Sequence, residues 1–228
     1  MSIELSNEEL EQRSFITKVY GWMSLALVIT GIVAIFTASS SILVDFIFGN
    51  RWVFYALLIS EVVLVMYLAA AVKKISASFA TLAFIAYAAL NGLTISVIFL
   101  VFTEASIAST FFITAGTFGI MSAYGYFTKR DLTGWGEFCL MGLVGIILAS
   151  IVNFFFLNET VYWVTTYIGI IVFIGLTAYD TQKIKKMNVI GNEGTEEDRK
   201  ESIIGALTLY LDFINLFLYL LRIFGRRK

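Results

Sequence analysis

Residues 203–224 read IIGALTLYLDFINLFLYLLRIF. A helix needs about 20 mainly apolar residues to cross the roughly 30 Å hydrocarbon layer of a bilayer, and this stretch has that length. Its apolar residues run on without alternating, which favours a helix over a barrel strand. One acid interrupts it. Asp212 lies nine residues in, about 13 Å along a helix rising 1.5 Å per residue and so close to mid-membrane. The preceding apolar run, 161–180, ends in a second acid, Asp180, within IGLTAYDTQKIK. A carboxylate in hydrocarbon costs about 2.5–3.5 kcal/mol on insertion scales, so such a residue faces protein, a partner or water and marks a candidate functional site.

The same reading extends along the chain. Of 228 residues 59% are hydrophobic and 14% charged, with mean hydropathy +0.85. Soluble domains run nearer 45–50% and about 25%. Seven stretches have spanning length: 19–38, 52–72, 78–102, 108–127, 138–157, 161–180 and 203–224. The fold class expected is an all-α integral membrane protein of seven transmembrane helices. Residues 1–18 form a cytoplasmic amphipathic N-terminal segment, and 19–228 a single transmembrane domain. Ser6 and Glu9 have the spacing of a capping box, so a surface helix should start near Asn7 and run into the first span. ILVDFIF at 42–48 is too short to cross and should lie at the interface.

Several function classes drop out. The chain has no histidine, which removes histidine-based zinc sites and Ser-His-Asp triads. Cys139 stands alone, so no intrachain disulfide can form. Net charge is -1 without a basic face, which argues against nucleic acid as a partner. Acidic residues at the N-terminus are the wrong sign for a signal peptide. Without proline, any helix break must come from glycine, serine or a π-bulge.

Lysine and arginine placement gives orientation. Arg13 and Lys18, Lys73 and Lys74, Lys129 and Arg130, and the 181–202 loop with Lys183, Lys185, Lys186, Arg199 and Lys200 share one side. The other side holds Arg51 alone until the basic C-terminus. The N-terminus should be cytoplasmic. Seven spans then put the C-terminus outside, against its own charge.

Small residues recur every four positions: Ala88, Gly92 and Ser96; Ala115, Gly119 and Ala123; Gly145, Ala149 and Asn153. These stripes read as close helix–helix packing. Thr208 and Asn215 share a helical face with Asp212, and Thr177 shares one with Asp180. Asp180 either pairs with Lys183 and water or meets Asp212. If the aspartates meet, both cannot easily be charged, and they titrate as a unit. A shared proton would hold two helices together; its loss would push them apart. Ionised, they are oxygen ligands suited to Ca²⁺. Glu61, nine residues past Trp52, is a third membrane acid.

NGLTISVIF (91–99), STFFITAGTFGIMSAYGYFTKRDLTGWGEFCLMGLVGIILASIVNFFF (109–156), IGLTAYDTQKIK (174–185) and LYLDFINLFLYLLRIFG (209–225) carry a resemblance. In this order and spacing the chain resembles the Bax inhibitor-1 (transmembrane Bax inhibitor motif) family, bacterial branch. That resemblance implies a last helix wrapped by the other six and a pH-sensitive Ca²⁺ leak across a prokaryotic plasma membrane. It implies a di-aspartyl sensor at Asp180 and Asp212, with Glu61 as the glutamate of the second helix. A basic gate partner would come from Lys73 or Lys74, although a lysine cannot make an arginine's bidentate fork. Beyond the lipid bilayer, Ca²⁺ is the implied cargo, carried transiently by Asp180, Asp212 and Glu61, with no resident cofactor. A second reading is a non-conducting regulator that binds a membrane-anchored AAA protease or another membrane protein. An intramembrane aspartyl protease would also place two aspartates on adjacent spans. Leu-Tyr-Leu before Asp212 and the missing proline motif argue against it, and no enzyme is expected.

Overall fold

The computed structural model describes residues 7–72 and 74–228, and among them helix dominates, with no strand. The elements are α1 (Asn7–Ser39), α2 (Ser41–Phe48), α3 (Arg51–Ala71), α4 (Ala77–Ile95), α5 (Val97–Val101), α6 (Glu104–Phe127), α7 (Thr133–Phe156), α8 (Glu159–Met187) and α9 (Glu196–Phe224). Seven stretches are long and apolar enough to cross a membrane, with α4 and α5 together making one. The seven-helix expectation stands. Ser6, half of the expected capping box, lies outside the described residues. α1 does begin at Asn7 and runs unbroken through the first span.

Three boundaries differ from the hydropathy reading. The third span is broken at Ser96, whose hydroxyl bonds the Leu93 carbonyl at 2.6 Å and competes with the helix ladder. α8 continues to Met187, seven residues past its apolar run, and α9 starts at Glu196. The expected 181–202 loop is therefore reduced to the stretch between them. The interfacial segment is the short helix α2, capped by the Ser40 hydroxyl.

The chain divides into two compact units. The first takes in the chain up to Phe102, Met187–Tyr210 and Lys228; the second takes in Thr103–Lys186 and Leu211–Arg227. In the first, α1 packs along α4 and α3 packs against α4. Gly92 permits the α1–α4 approach, since a Cβ there would stand 2.8 Å from the Thr30 carbonyl oxygen. At one end of this unit, Gly191 N–H donates to Glu11 at 2.8 Å and Ser14 donates to Glu193 at 2.5 Å. There too the Ala77 N–H meets Glu196 at 3.1 Å. The start of α1, the α3–α4 turn and the α8–α9 loop thus share that end. At Val101, the Lys228 backbone N–H closes on the carbonyl at 2.9 Å, fixing the C-terminus beside the turn between the third and fourth spans.

In the second unit, a core of Cys139, Ile146, Val172, Phe173, Leu176, Leu216 and Leu220 joins α7, α8 and the latter half of α9. Phe213 packs edge-on against Phe111 and Phe118 of α6. The small-residue stripes on α6 and α7 behave otherwise than expected. Gly119 and Gly145 have open space beside them, so neither marks a close helix–helix approach. The close approach of α6 to α8 is at Gly125, which faces the Ala178 carbonyl with no room for a Cβ. Of the seven spans α9 is the most buried, at 67% of its apolar window against 11% for α3 and α7.

Candidate functional site

The second unit brings Asp180 of α8 and Asp212 of α9 together. Both are buried, and their carboxyl groups face each other closely enough for one to hydrogen-bond to the other. Two carboxylates have no proton to donate, so this bond exists only when one acid is protonated. Asp212 Oδ2 is buried and has no hydroxyl or N–H partner. Lys183, one turn along α8, faces Asp180 from the exposed side and lies 5.8 Å over the Tyr179 ring. Of the two readings of Asp180 left open by the sequence, the second aspartate stands against it, and among the described residues no ion pair joins it to Lys183.

The end of α8 that carries Asp180 is fastened to the α6–α7 turn. Gln182 accepts from the Leu132 N–H at 2.9 Å and donates to the Arg130 carbonyl at 2.8 Å. Lys185 donates to the Tyr126 carbonyl at 3.0 Å and sits 4.6 Å above that ring. These contacts explain why a helix too polar for hydrocarbon persists to Met187. Gln182 did not stand out in the sequence and Lys185 did so only as one of the basic residues that give orientation; a Gln beside a membrane acid was the available signal.

The supporting polar residues are placed differently from one another. Thr177 is fully buried and donates to Phe173, while Thr181 donates to Thr177. Thr208 donates to Ile204 at 3.0 Å and Asn215 to Leu211 at 2.8 Å. Both return their polar atoms to their own helix, and neither is a hydrogen-bond partner of Asp212. Lys73 lies outside the described residues. Lys74 is exposed in the turn after α3.

Glu61 belongs to the first unit. It is buried and accepts from Thr94 at 2.8 Å and from Asn91 at 3.3 Å. Tyr210 donates to Asn91 at 3.2 Å, and its hydroxyl is 2.7 Å from Thr30 Oγ1. Among the described residues no three histidine, cysteine or acidic side chains come together to hold a metal. Asp180, Asp212 and Glu61 do not form one resident metal site.

A family profile described as "Inhibitor of apoptosis-promoting Bax1" matches residues 12–228. "Inner membrane protein YbhL" of Escherichia coli (strain K12) is 54% identical over 217 residues, covering 95% of this chain and 93% of the relative. An uncharacterized protein of Borreliella burgdorferi is 44% identical over 229 residues, covering 99% of each. "Uncharacterized protein RP147" of Rickettsia prowazekii is also 44% identical, over 95% of this chain and 91% of its own length. The match runs through both aspartate-bearing helices and nearly the whole bundle, and the chain belongs to the Bax inhibitor-1 family.

Proposed function

We propose that this membrane protein is a pH-gated Ca²⁺ leak of a prokaryotic plasma membrane, with its gate at Asp180 and Asp212. The observation that carries the reading is the burial of these two acids against each other, within reach of one shared proton, across α8 and α9. With one shared proton the pair has a single negative charge, opposite Lys183. When that proton leaves, two like charges face each other in a low-dielectric interior, where repulsion is far stronger than in water. Because Gln182 and Lys185 fasten α8 to the α6–α7 turn, separation falls on the contact with α9. The leak opens as pH rises and closes as pH falls. Freed carboxylate oxygens are hard ligands of the kind Ca²⁺ takes.

A cytoplasmic N-terminus fits the basic residues at the end shared by α1, the α3–α4 turn and the α8–α9 loop. The C-terminus, beside Val101, then lies outside. α9 as the central helix fits its burial.

Ca²⁺ flux into proteoliposomes, followed across pH for the wild type and for Asp180→Asn and Asp212→Asn, tests the reading. The pH dependence should disappear in both variants. Flux profiles that superimpose on the wild type would remove the gate.

A second reading, a regulator docking another membrane protein such as a membrane-anchored AAA protease, has one observation behind it. The start of α1 and the 187–199 stretch, both polar, are joined by Glu11, Ser14 and Lys18 into one surface. Removal of residues 1–14 should then abolish partner capture while leaving flux intact. Capture by the shortened chain would overturn it.

A further inference from the structure

The first unit contains a polar cluster that the gate does not use. Thr94 Oγ1 lies 2.8 Å from Glu61 and 3.0 Å from the Asn91 carbonyl. Asn91 joins Glu61 at 3.3 Å and Tyr210 at 3.2 Å. Thr30 Oγ1 lies 2.7 Å from the Tyr210 hydroxyl and 2.8 Å from the Ala88 carbonyl. These six contacts form one chain from α3 through α4 and α9 to α1. Phe84 and Tyr87 stand edge-on to the Tyr210 ring and fix it.

Each contact needs a proton between its two heavy atoms. Thr30, Thr94 and Tyr210 have one hydroxyl proton each, and Asn91 points one amide hydrogen into the chain. An ionised Glu61 only accepts. Four protons then face six contacts, and Thr30 cannot serve both Tyr210 and Ala88 at such short separations. A proton on Glu61 supplies a fifth. After a half-turn of the Asn91 amide, Glu61 donates to Asn91, Asn91 to Tyr210, Tyr210 to Thr30 and Thr30 to Ala88. Thr94 still donates to Glu61, and only its 3.0 Å contact within α4 goes unserved.

The surroundings agree. The titratable groups that face Glu61 are Tyr87 of α4 and Tyr210 of α9. From α1 the Thr30 hydroxyl reaches the cluster through Tyr210. Among the described residues no lysine or arginine is paired with Glu61. A buried ion needs a partner charge, and none of the described lysines and arginines supplies one, whereas a neutral acid needs only hydrogen bonds.

We propose that Glu61 is a second proton-binding site, separate from the aspartate pair, held as the neutral acid at the head of a one-way hydrogen-bond chain that ties α3 to α1. Loss of its proton reverses the chain and leaves Thr30 one hydrogen for its two contacts, with Tyr210 and with Ala88, loosening α1 from α4 and α9. This inference does not depend on Ca²⁺ conduction.

Infrared spectroscopy of the protein in lipid at neutral pH tests it. Solvent-exposed glutamates are ionised at that pH, so a protonated-carboxyl band that moves on ¹³C-glutamate labelling is expected from Glu61. The band should vanish in Glu61→Gln and persist in an Asp180→Asn, Asp212→Asn double variant. Tyr210→Phe should shift its frequency. Absence of any label-sensitive carboxyl band in the wild type would overturn the proton site, even if Glu61→Gln failed to fold. A band unmoved in Tyr210→Phe would overturn the chain.

Discussion

Lys18 donates to Asp198 at 2.8 Å, and the carboxylate it meets is only 2% exposed. The same carboxylate accepts the Gly194 N–H at 2.9 Å, while Thr195 caps the Asp198 N–H at 3.2 Å. This reciprocal arrangement starts α9 and fixes α1 beside it. Asp198→Ala removes the ion pair and the acceptor of the Gly194 N–H together, while the Thr195 cap survives, and should lower stability by about 2–3 kcal/mol. Lys18→Met should cost less, about 1–2 kcal/mol, because Gly194 still satisfies one carboxylate oxygen. Thermal unfolding in detergent compares them. Equal melting temperatures for both variants and the wild type would count against the pair as a structural tie.

Gln182 serves two backbone groups of the α6–α7 turn. Gln182→Leu would strand the buried Leu132 N–H, at about 1–3 kcal/mol, and free the Arg130 carbonyl, on an exposed residue, at a smaller cost. Hydrogen exchange should accelerate at residues 128–132 and hardly change in α3. Unchanged exchange at Leu132 would show that the turn holds without Gln182.

Gly125 and Gly119 lie on one helix, yet only Gly125 touches a neighbour, the Ala178 carbonyl. Gly125→Ala should destabilise by roughly 1–3 kcal/mol through overpacking. Gly119→Ala should be neutral or gain up to about 1 kcal/mol from helix propensity. The order of their melting temperatures checks the α6–α8 approach, and a reversed order would refute it.

Asp131 is fully exposed before α7. Its carboxyl is held below the usual carboxylate range, chiefly by the Thr133 hydroxyl at 2.7 Å and then by the Thr133 N–H. A lowered folded-state pKa adds stability that is present above the unfolded value and fades as pH falls through the folded one. Asp131→Ala should therefore be slightly less stable than the wild type at neutral pH, with the gap closing at acid pH. A gap that widens on acidification would reverse this assignment.

The spans were legible because hydrocarbon imposes length and apolarity on each one separately, and the acids at 180 and 212 were legible because they break that rule. What escaped depends on partners distant in sequence. The Ser96 break follows from a hydroxyl choosing its own helix, which hydropathy does not register. Thr208 and Asn215 shared a face with Asp212 on paper, but both bond back to α9. The last turns of α8 looked like loop because their polar side chains are satisfied by residues 126–132, some fifty positions earlier. Tyr210 passed as one more aromatic in LYLD, since its partners Asn91 and Thr30 lie 119 and 180 positions away.

α1 runs 33 residues without interruption, about 50 Å at 1.5 Å per residue. The oily slab accounts for about 30 Å of that, so one stiff rod reaches from water to Thr30 deep inside. A dye attached at Leu10, half exposed on that rod, would report from solution any slip of its buried end.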